Sequence, residues 1–355
     1  MSSIPTDNRV NYALVDPAAA AGWQALPPEY AIPDRAPSLE EAQRYCSRLA
    51  HSHYENFSVV TWFLPKHLHQ HFYNVYAYCR ISDDLGDEVG DPQQSLALLD
   101  AWEAELNATY MSLVEPPLQD IQQDVEKLEA KPPVRNNVSP RHPVFIALRE
   151  TIREFDIPRE PFANLLTAFR QDQSITRFPT FDDVLAYCKN SANPVGHLVL
   201  YLCGYRDCER QRLSDYTCTA LQLANFWQDV AVDHGKGRIY LPLDSLAKFS
   251  VSEDDIAQCR ATPQFLELMK FEVERARDWF RMGLPLIDKV DKHLATDLEL
   301  FSRGGLEILN AIQQQGYDVL KQRPAISKPR KLWLVARAAV GKLTSSTQRH
   351  GGHGV

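Results

Sequence analysis

The sequence predicts an all-α protein. Apolar residues recur with helical spacing from Ser38 to about residue 113, and again from Pro143 to about residue 322. No apolar–polar alternation persists long enough to make a sheet. The interruptions are short and carry Pro, Gly or Asn: Pro65, Pro158–Pro161, Phe178–Pro179, Asn193–Pro194, Gly235–Gly237 and Pro242. The expectation is one domain of many helices around a central cavity.

Taken in order, residues 1–37 are rich in Pro, Ala and short polar groups, and read as an extended, flexible arm. Ser38, with Glu40 and Glu41 behind it, has the chemistry of a helix start: a capping hydroxyl followed by acids in the first turn. The domain proper then runs over 38–343. Within it, 115–142 carries Pro116–Pro117, Pro132–Pro133 and Asn136–Asn137 around a polar stretch, and reads as a surface insertion. The Gly, Ser and His content of 344–355 predicts a disordered tail.

Bulk composition excludes several classes. Hydrophobic residues at 44% and charged residues at 24% are ordinary for a globular protein, and a net charge of −8 argues against a nucleic-acid binder. Seven unevenly spaced cysteines predict reduced thiols rather than a disulfide framework. No 18-residue apolar run and no N-terminal apolar core predict a cytoplasmic protein without a transmembrane span.

The segment FYNVYAYCRISDDLGDE concentrates chemistry. On a helix Tyr76, Arg80, Asp83 and Asp87 fall in a stripe roughly 60° wide. Asp83 and Asp87, like charges one turn apart, destabilise an isolated helix by roughly 0.2–0.5 kcal/mol, and Asp84 and Glu88 repeat the conflict. A divalent cation is the natural compensation. In LQLANFWQDVAVDHGKGRIYLP, Asn225, Asp229 and Asp233 repeat at four-residue spacing along a second helical face, with Lys236, Arg238 and Tyr240 just beyond. Carboxylates sharing Mg²⁺ with a diphosphate, with basic groups for the remaining charge, are the equipment for ionising an allylic diphosphate. A single DxxxD is commonplace on solvated helices; two of them in apolar helices, each beside aromatic and basic residues, are not.

At these residues the sequence resembles the squalene/phytoene synthase family. YAYCRISDDLGDE is similar to its first aspartate-rich helix and NFWQDVAVDHGKGRIYLP to its second. HYENFSVVTWFLPKHLHQHF and TFDDVLAYCKNSANPVGHLV agree as well, and the likeness spans about 40–113 and 143–340. The resemblance implies the isoprenoid synthase fold, Mg²⁺ dependence and chemistry on prenyl diphosphates. HYENF, SANPVG and NFWQD most resemble hydroxysqualene synthases of the hopanoid pathway, which ionise presqualene diphosphate and quench the rearranged cation with water. Gln228 stands where many phytoene-synthase-like members carry Arg, and so implies one lost diphosphate contact.

Carried over residue by residue, the resemblance implies that Asp83, Asp87, Asn225, Asp229 and Asp233 hold metal. It places Arg80, Lys236, Arg238 and Tyr240 on diphosphate oxygens, and Tyr76 at the leaving group. Phe57, Phe226 and Trp227 are cavity-wall candidates, or ordinary packing. Ser191 to Gly196 implies a helix kinked at Pro194, or close packing at Gly196. Two other readings compete: head-to-head condensation of two prenyl diphosphates to presqualene diphosphate, dehydrosqualene or phytoene, and a non-catalytic helical assembly partner. The C-terminal SKPRKLWLVARAAVGKL suits peripheral contact with an anionic membrane as well as it suits a packed helix with a basic outer face.

Overall fold

A computed structural model describes residues 17–52, 64–114 and 139–326. Phe57, the HYENF segment, most of the 115–142 insertion, the basic–apolar C-terminal stretch and the tail lie outside the described residues. Among the described residues every regular element is helical, and the β-type pairing is an isolated parallel bridge between Arg177 and Ile239. The chain divides into two compact units, Met1–His53 with Gln70–Gln173, and Tyr54–His69 with Ser174–Val355.

The first unit is built from α1 (Pro17–Ala25), α2 (Leu39–Ser52), α3 (His69–Asp87), α4 (Pro92–Val114), α5 (Pro143–Phe155) and α6 (Glu160–Gln171). α4 packs against α1, α5 and α6, while α2 lies on α5. α2 begins as its sequence requires. Ser38 Oγ accepts from Glu41 N at 3.3 Å and Glu41 Oε2 accepts from Ser38 N at 2.9 Å, a reciprocal capping box. The helical run expected up to residue 113 is broken before α4, where Gly90 takes φ 78° and Pro92 opens the next helix.

The arm is not extended where it is described. Pro17 opens α1, the position where a missing N–H costs nothing, and the alanines that follow favour helix. Trp23 is buried, and a Cβ on Gly22 would stand 2.7 Å from Leu98 Cδ1, so glycine allows α1 to lie close on α4. A turn of 3-10 helix, Pro28–Tyr30, then buries Tyr30. Proline content misled because Pro17 and Pro28 sit where helices begin.

Aromatic groups fill the core of this unit. Trp102 is fully buried, stacks on Tyr78 at 6.3 Å between centroids and meets Phe145 edge-on at 4.5 Å. Its Nε1 donates to Ser82 Oγ at 2.9 Å, Ser82 donates to Tyr78 O at 2.7 Å, and Tyr78 Oη donates to Phe162 O at 2.9 Å. At the start of α5, Glu105 Oε2 accepts from Arg141 N and His142 N at 2.7 and 2.8 Å.

His142, fully buried beside Trp102 and Tyr45, has its pKa pulled down by burial to about 3. In the unfolded chain it protonates near the ordinary value of about 6.5. Between these values the unfolded state binds more protons, so stability is full above about pH 6.5 and falls as the pH drops toward 3. Urea unfolding from pH 7.5 to 4.5 should therefore show an acid-side loss in the wild type exceeding that of His142→Phe by on the order of 1 kcal/mol per pH unit. Parallel profiles would refute this.

The second unit contains α7 (Phe181–Ser191), α8 (Asn193–Leu202), α9 (Cys208–Gln228), α10 (Val230–Gly235), α11 (Leu243–Lys248), α12 (Glu253–Ala257), α13 (Pro263–Gly283) and α14 (Lys292–Gln314). α9 is its axis and packs against α7, α8, α13 and α14. Pro194 does not kink a helix: α7 ends before Ala192 and Pro194 opens α8. Gly196 serves close packing, since a Cβ there would lie 2.3 Å from Ser214 Oγ and 2.6 Å from Cys218 Sγ on α9. All seven cysteines are free thiols, and no described helix is long and apolar enough to cross a membrane.

Candidate active site

The first acidic motif occupies the C-terminal half of α3. Ala77, Tyr78, Ile81, Ser82 and Leu85 are buried and lock the helix into the core. Tyr76, Arg80, Asp83 and Asp87 are partly exposed on another side, so the stripe expected from spacing exists. Its end is pinned where Gln173 Nε2 donates to Gly86 O at 2.9 Å. Burial raises the Tyr76 pKa.

The charges on this helix are divided unequally. Asp84 is 4% exposed and receives Arg80 Nε at 3.0 Å, Arg80 Nη2, and Tyr30 Oη at 2.8 Å. Burial and then the Asp84 contact raise the Tyr30 pKa; burial works to lower that of Arg80, but Asp84 with Asp83 and Tyr30 raises it overall. Asp83 stands 3.8 Å from Arg80 Nη1 with its side chain 50% exposed. The Asp84 carboxylate thus has its compensation within the protein, from Arg80 and Tyr30.

The second motif departs from a continuous helix. α9 ends at Gln228, Asp229 leaves helical geometry at φ −106°, ψ 13°, and α10 begins at Val230. Four-residue hydrogen bonds nevertheless cross the break, from Asp229 N to Asn225 O at 2.9 Å and from Asp233 N to Asp229 O at 2.8 Å. Asn225 is exposed, and Asp229 and Asp233 are partly so. Lys236 is exposed at the end of α10. Arg238 N returns to Asp233 O at 2.9 Å after Gly237, whose φ of 81° makes the turn.

Tyr240 is held rigidly. Its ring stacks on Phe226 at 3.8 Å and 7°, and on Phe178 at 5.4 Å and 21°, while Ile239 N donates to Thr176 O. Phe226 is therefore a packing partner of Tyr240, and Trp227, with no exposed surface, belongs to the core rather than to a cavity wall.

Past α14, Arg323 lays its guanidinium on Asp229. Nη2 reaches Oδ2 at 2.9 Å and Nε contacts Oδ1, while Nη2 also reaches Gln228 Oε1 at 3.2 Å. This contact raises the Arg323 pKa.

A model of the family described as "Squalene/phytoene synthase" matches residues 50–330. The chain belongs to the squalene/phytoene synthase family. The 15-cis-phytoene synthase of Synechococcus elongatus is 28% identical over 319 residues, covering 85% of this chain and 94% of that one. The phytoene synthase of Arthrospira platensis is 26% identical over 309 residues, 82% of this chain and 90% of the other. Among solved structures, the squalene synthase HpnC from Alicyclobacillus acidocaldarius superposes with a TM-score of 0.68 at 41% identity, covering 84% of this chain and 98% of that chain. A dehydrosqualene synthase crystallised with a ligand gives 0.70 at 24%, covering 86% and 98%, which bears on the fold alone. The fold is the isoprenoid synthase fold of this family.

For this member of the squalene/phytoene synthase family, the expected donors are all oxygens, carboxylates with one amide, which is the donor set hard Mg²⁺ takes. Among the described residues no three His, Cys, Asp or Glu side chains gather closely enough to hold an ion alone. Mg²⁺ binds through one or two carboxylates plus phosphate and water, so each motif by itself offers the donor chemistry such an ion takes. Sequence reading missed Tyr30 and Arg323. Arg323 places a guanidinium beside Gln228 and Asp229, from 95 and 94 positions away. A lone arginine before a proline offered no signal.

Proposed function

We propose that this isoprenoid enzyme ionises presqualene diphosphate and adds water to the rearranged cation, releasing hydroxysqualene and diphosphate. The carbon–oxygen bond breaks with its electron pair passing to diphosphate; water oxygen then bonds the carbocation and loses a proton to solvent. What carries this reading is the 41% identity to HpnC across 98% of that chain, against 24–28% for the phytoene and dehydrosqualene synthases quoted above. HYENF, SANPVG and NFWQD support it.

In this reading Asp83, Asp87, Asn225, Asp229 and Asp233 hold Mg²⁺, which when bound neutralises the departing diphosphate. Lys236, Arg238, Tyr240 and Arg80 take diphosphate oxygens, Arg80 through the edge not committed to Asp84. Tyr76 orients the leaving group. Tyr240, clamped between two phenyl rings, offers its hydroxyl without losing rotamer freedom on binding, which favours a fixed contact.

The test is incubation of purified protein with Mg²⁺ and presqualene diphosphate in H₂¹⁸O, followed by mass spectrometry. One ¹⁸O in a C30 alcohol, lost on chelation of the metal, is expected. Conversion of farnesyl or geranylgeranyl diphosphate alone to a hydrocarbon would overturn it. That outcome would favour the second reading, head-to-head condensation, which the likeness to phytoene synthases supports. Partition to vesicles of anionic lipid would test peripheral membrane contact through the C-terminal segment.

A further inference from the structure

The chain beyond α14 is fastened at two carbonyls that bracket Arg323. Gln315 Nε2 donates to Gln322 O at 2.6 Å, and also to Asp318 O at 2.7 Å. Gln228 Nε2 donates to Pro324 O at 2.5 Å. Between these points Gln228 Oε1 accepts from Arg323 Nη2 at 3.2 Å. Gln228 therefore grips the segment twice, by its backbone and by the guanidinium.

Few side chains could do this. An amide carries an acceptor and a donor on neighbouring atoms, and the two contacts set its orientation: oxygen toward the cation, nitrogen toward the carbonyl. Arginine or lysine at 228 would present only donors, and would put a second cation against Arg323. Gln228 is 5% exposed and Pro324 is buried, so the pairing is shielded from water. Proline after Arg323 restricts Arg323 to extended backbone, which limits the directions its side chain can take. Arg323 itself is 53% exposed at its side chain, and without a brace would sample many rotamers.

We propose that Gln228 is a positioning residue: its amide bridges Arg323 and the Pro324 carbonyl and holds the Arg323 guanidinium at Asp229, ready for a diphosphate. The role rests on the reading of Asp229 as part of the metal–diphosphate site. Its contacts are to Arg323 and the Pro324 carbonyl, so it acts through Arg323.

The first readout needs no metal. Phenylglyoxal labelling of Arg323 in the full-length chain, followed by mass spectrometry, should run several-fold faster in Gln228→Leu than in the wild type. Equal rates would overturn the proposal. Gln228→Glu, of the same size, keeps the acceptor toward Arg323 but loses the donor to the Pro324 carbonyl, so a two-ended bridge should label faster there too; labelling at the wild-type rate contradicts the bridge, and this variant decides the matter if the leucine form does not fold. The second readout is calorimetric binding of inorganic pyrophosphate with Mg²⁺. Gln228→Leu should weaken it about tenfold, through loss of a hydrogen bond to a charged group. In an Arg323→Ala background the same substitution should change almost nothing. An undiminished tenfold loss in that background assigns Gln228 a merely structural role. Absence of pyrophosphate binding in the wild type would instead count against the metal–diphosphate reading, with the labelling result still deciding the bridge.

Discussion

Asp83→Asn is expected to lower kcat/KM by about 10²- to 10³-fold while leaving stability within about 0.5 kcal/mol of the wild type. Its neighbour should behave in the opposite way. Asp83 is half exposed and stands 3.8 Å from Arg80, whereas Asp84 is buried under Arg80 and Tyr30. Removing the charge of Asp84 leaves a partly buried guanidinium without its main partner, so Asp84→Asn should destabilise the fold by about 3 kcal/mol. Asp229→Asn should resemble Asp83→Asn, because its pairing with Arg323 is partly solvated and worth at most about 1 kcal/mol. Steady-state kinetics beside urea unfolding on all three variants checks the pattern. Full activity in both Asp83→Asn and Asp229→Asn would rule out the metal-site assignment.

The largest stability effect is expected at Trp102. Trp102→Ala removes a fully buried ring that touches Tyr78, Phe145 and His142, and should cost about 3–5 kcal/mol. It also removes the donor to Ser82 Oγ, one of the bonds that tie α3 to the core one residue before Asp83. Trp102→Phe keeps most of the burial and loses that hydrogen bond, and should cost roughly 1–2 kcal/mol. Urea denaturation of the two variants gives the comparison, and equal losses would refute the assigned role of the ring.

Much of the fold could be read from local pattern. Helical period marked α3, α5, α9 and α14, because their buried faces repeat within a few residues and turn geometry is a property of the nearby chain. Ser38 and Glu41 announced the start of α2 for the same reason. The arm was misread because α1 is stabilised by its seat on α4, some 70 residues away, and proline counting is blind to such contacts.

The sequence alone determined which helices carry acid, since a stripe of Tyr76, Arg80, Asp83 and Asp87 follows from spacing on any helix. Resemblance then named the family, which the comparisons bear out. Spacing could not divide labour between Asp83 and Asp84, because Arg80 can reach either from three or four positions away. Tertiary structure decided it: Tyr30 arrives from 54 positions upstream and completes the shell around Asp84, while the Asp83 side chain stays half exposed. Arg323 meets Asp229 from 94 positions downstream for the same kind of reason. Each is a long-range contact whose partners become neighbours only once the helices have packed.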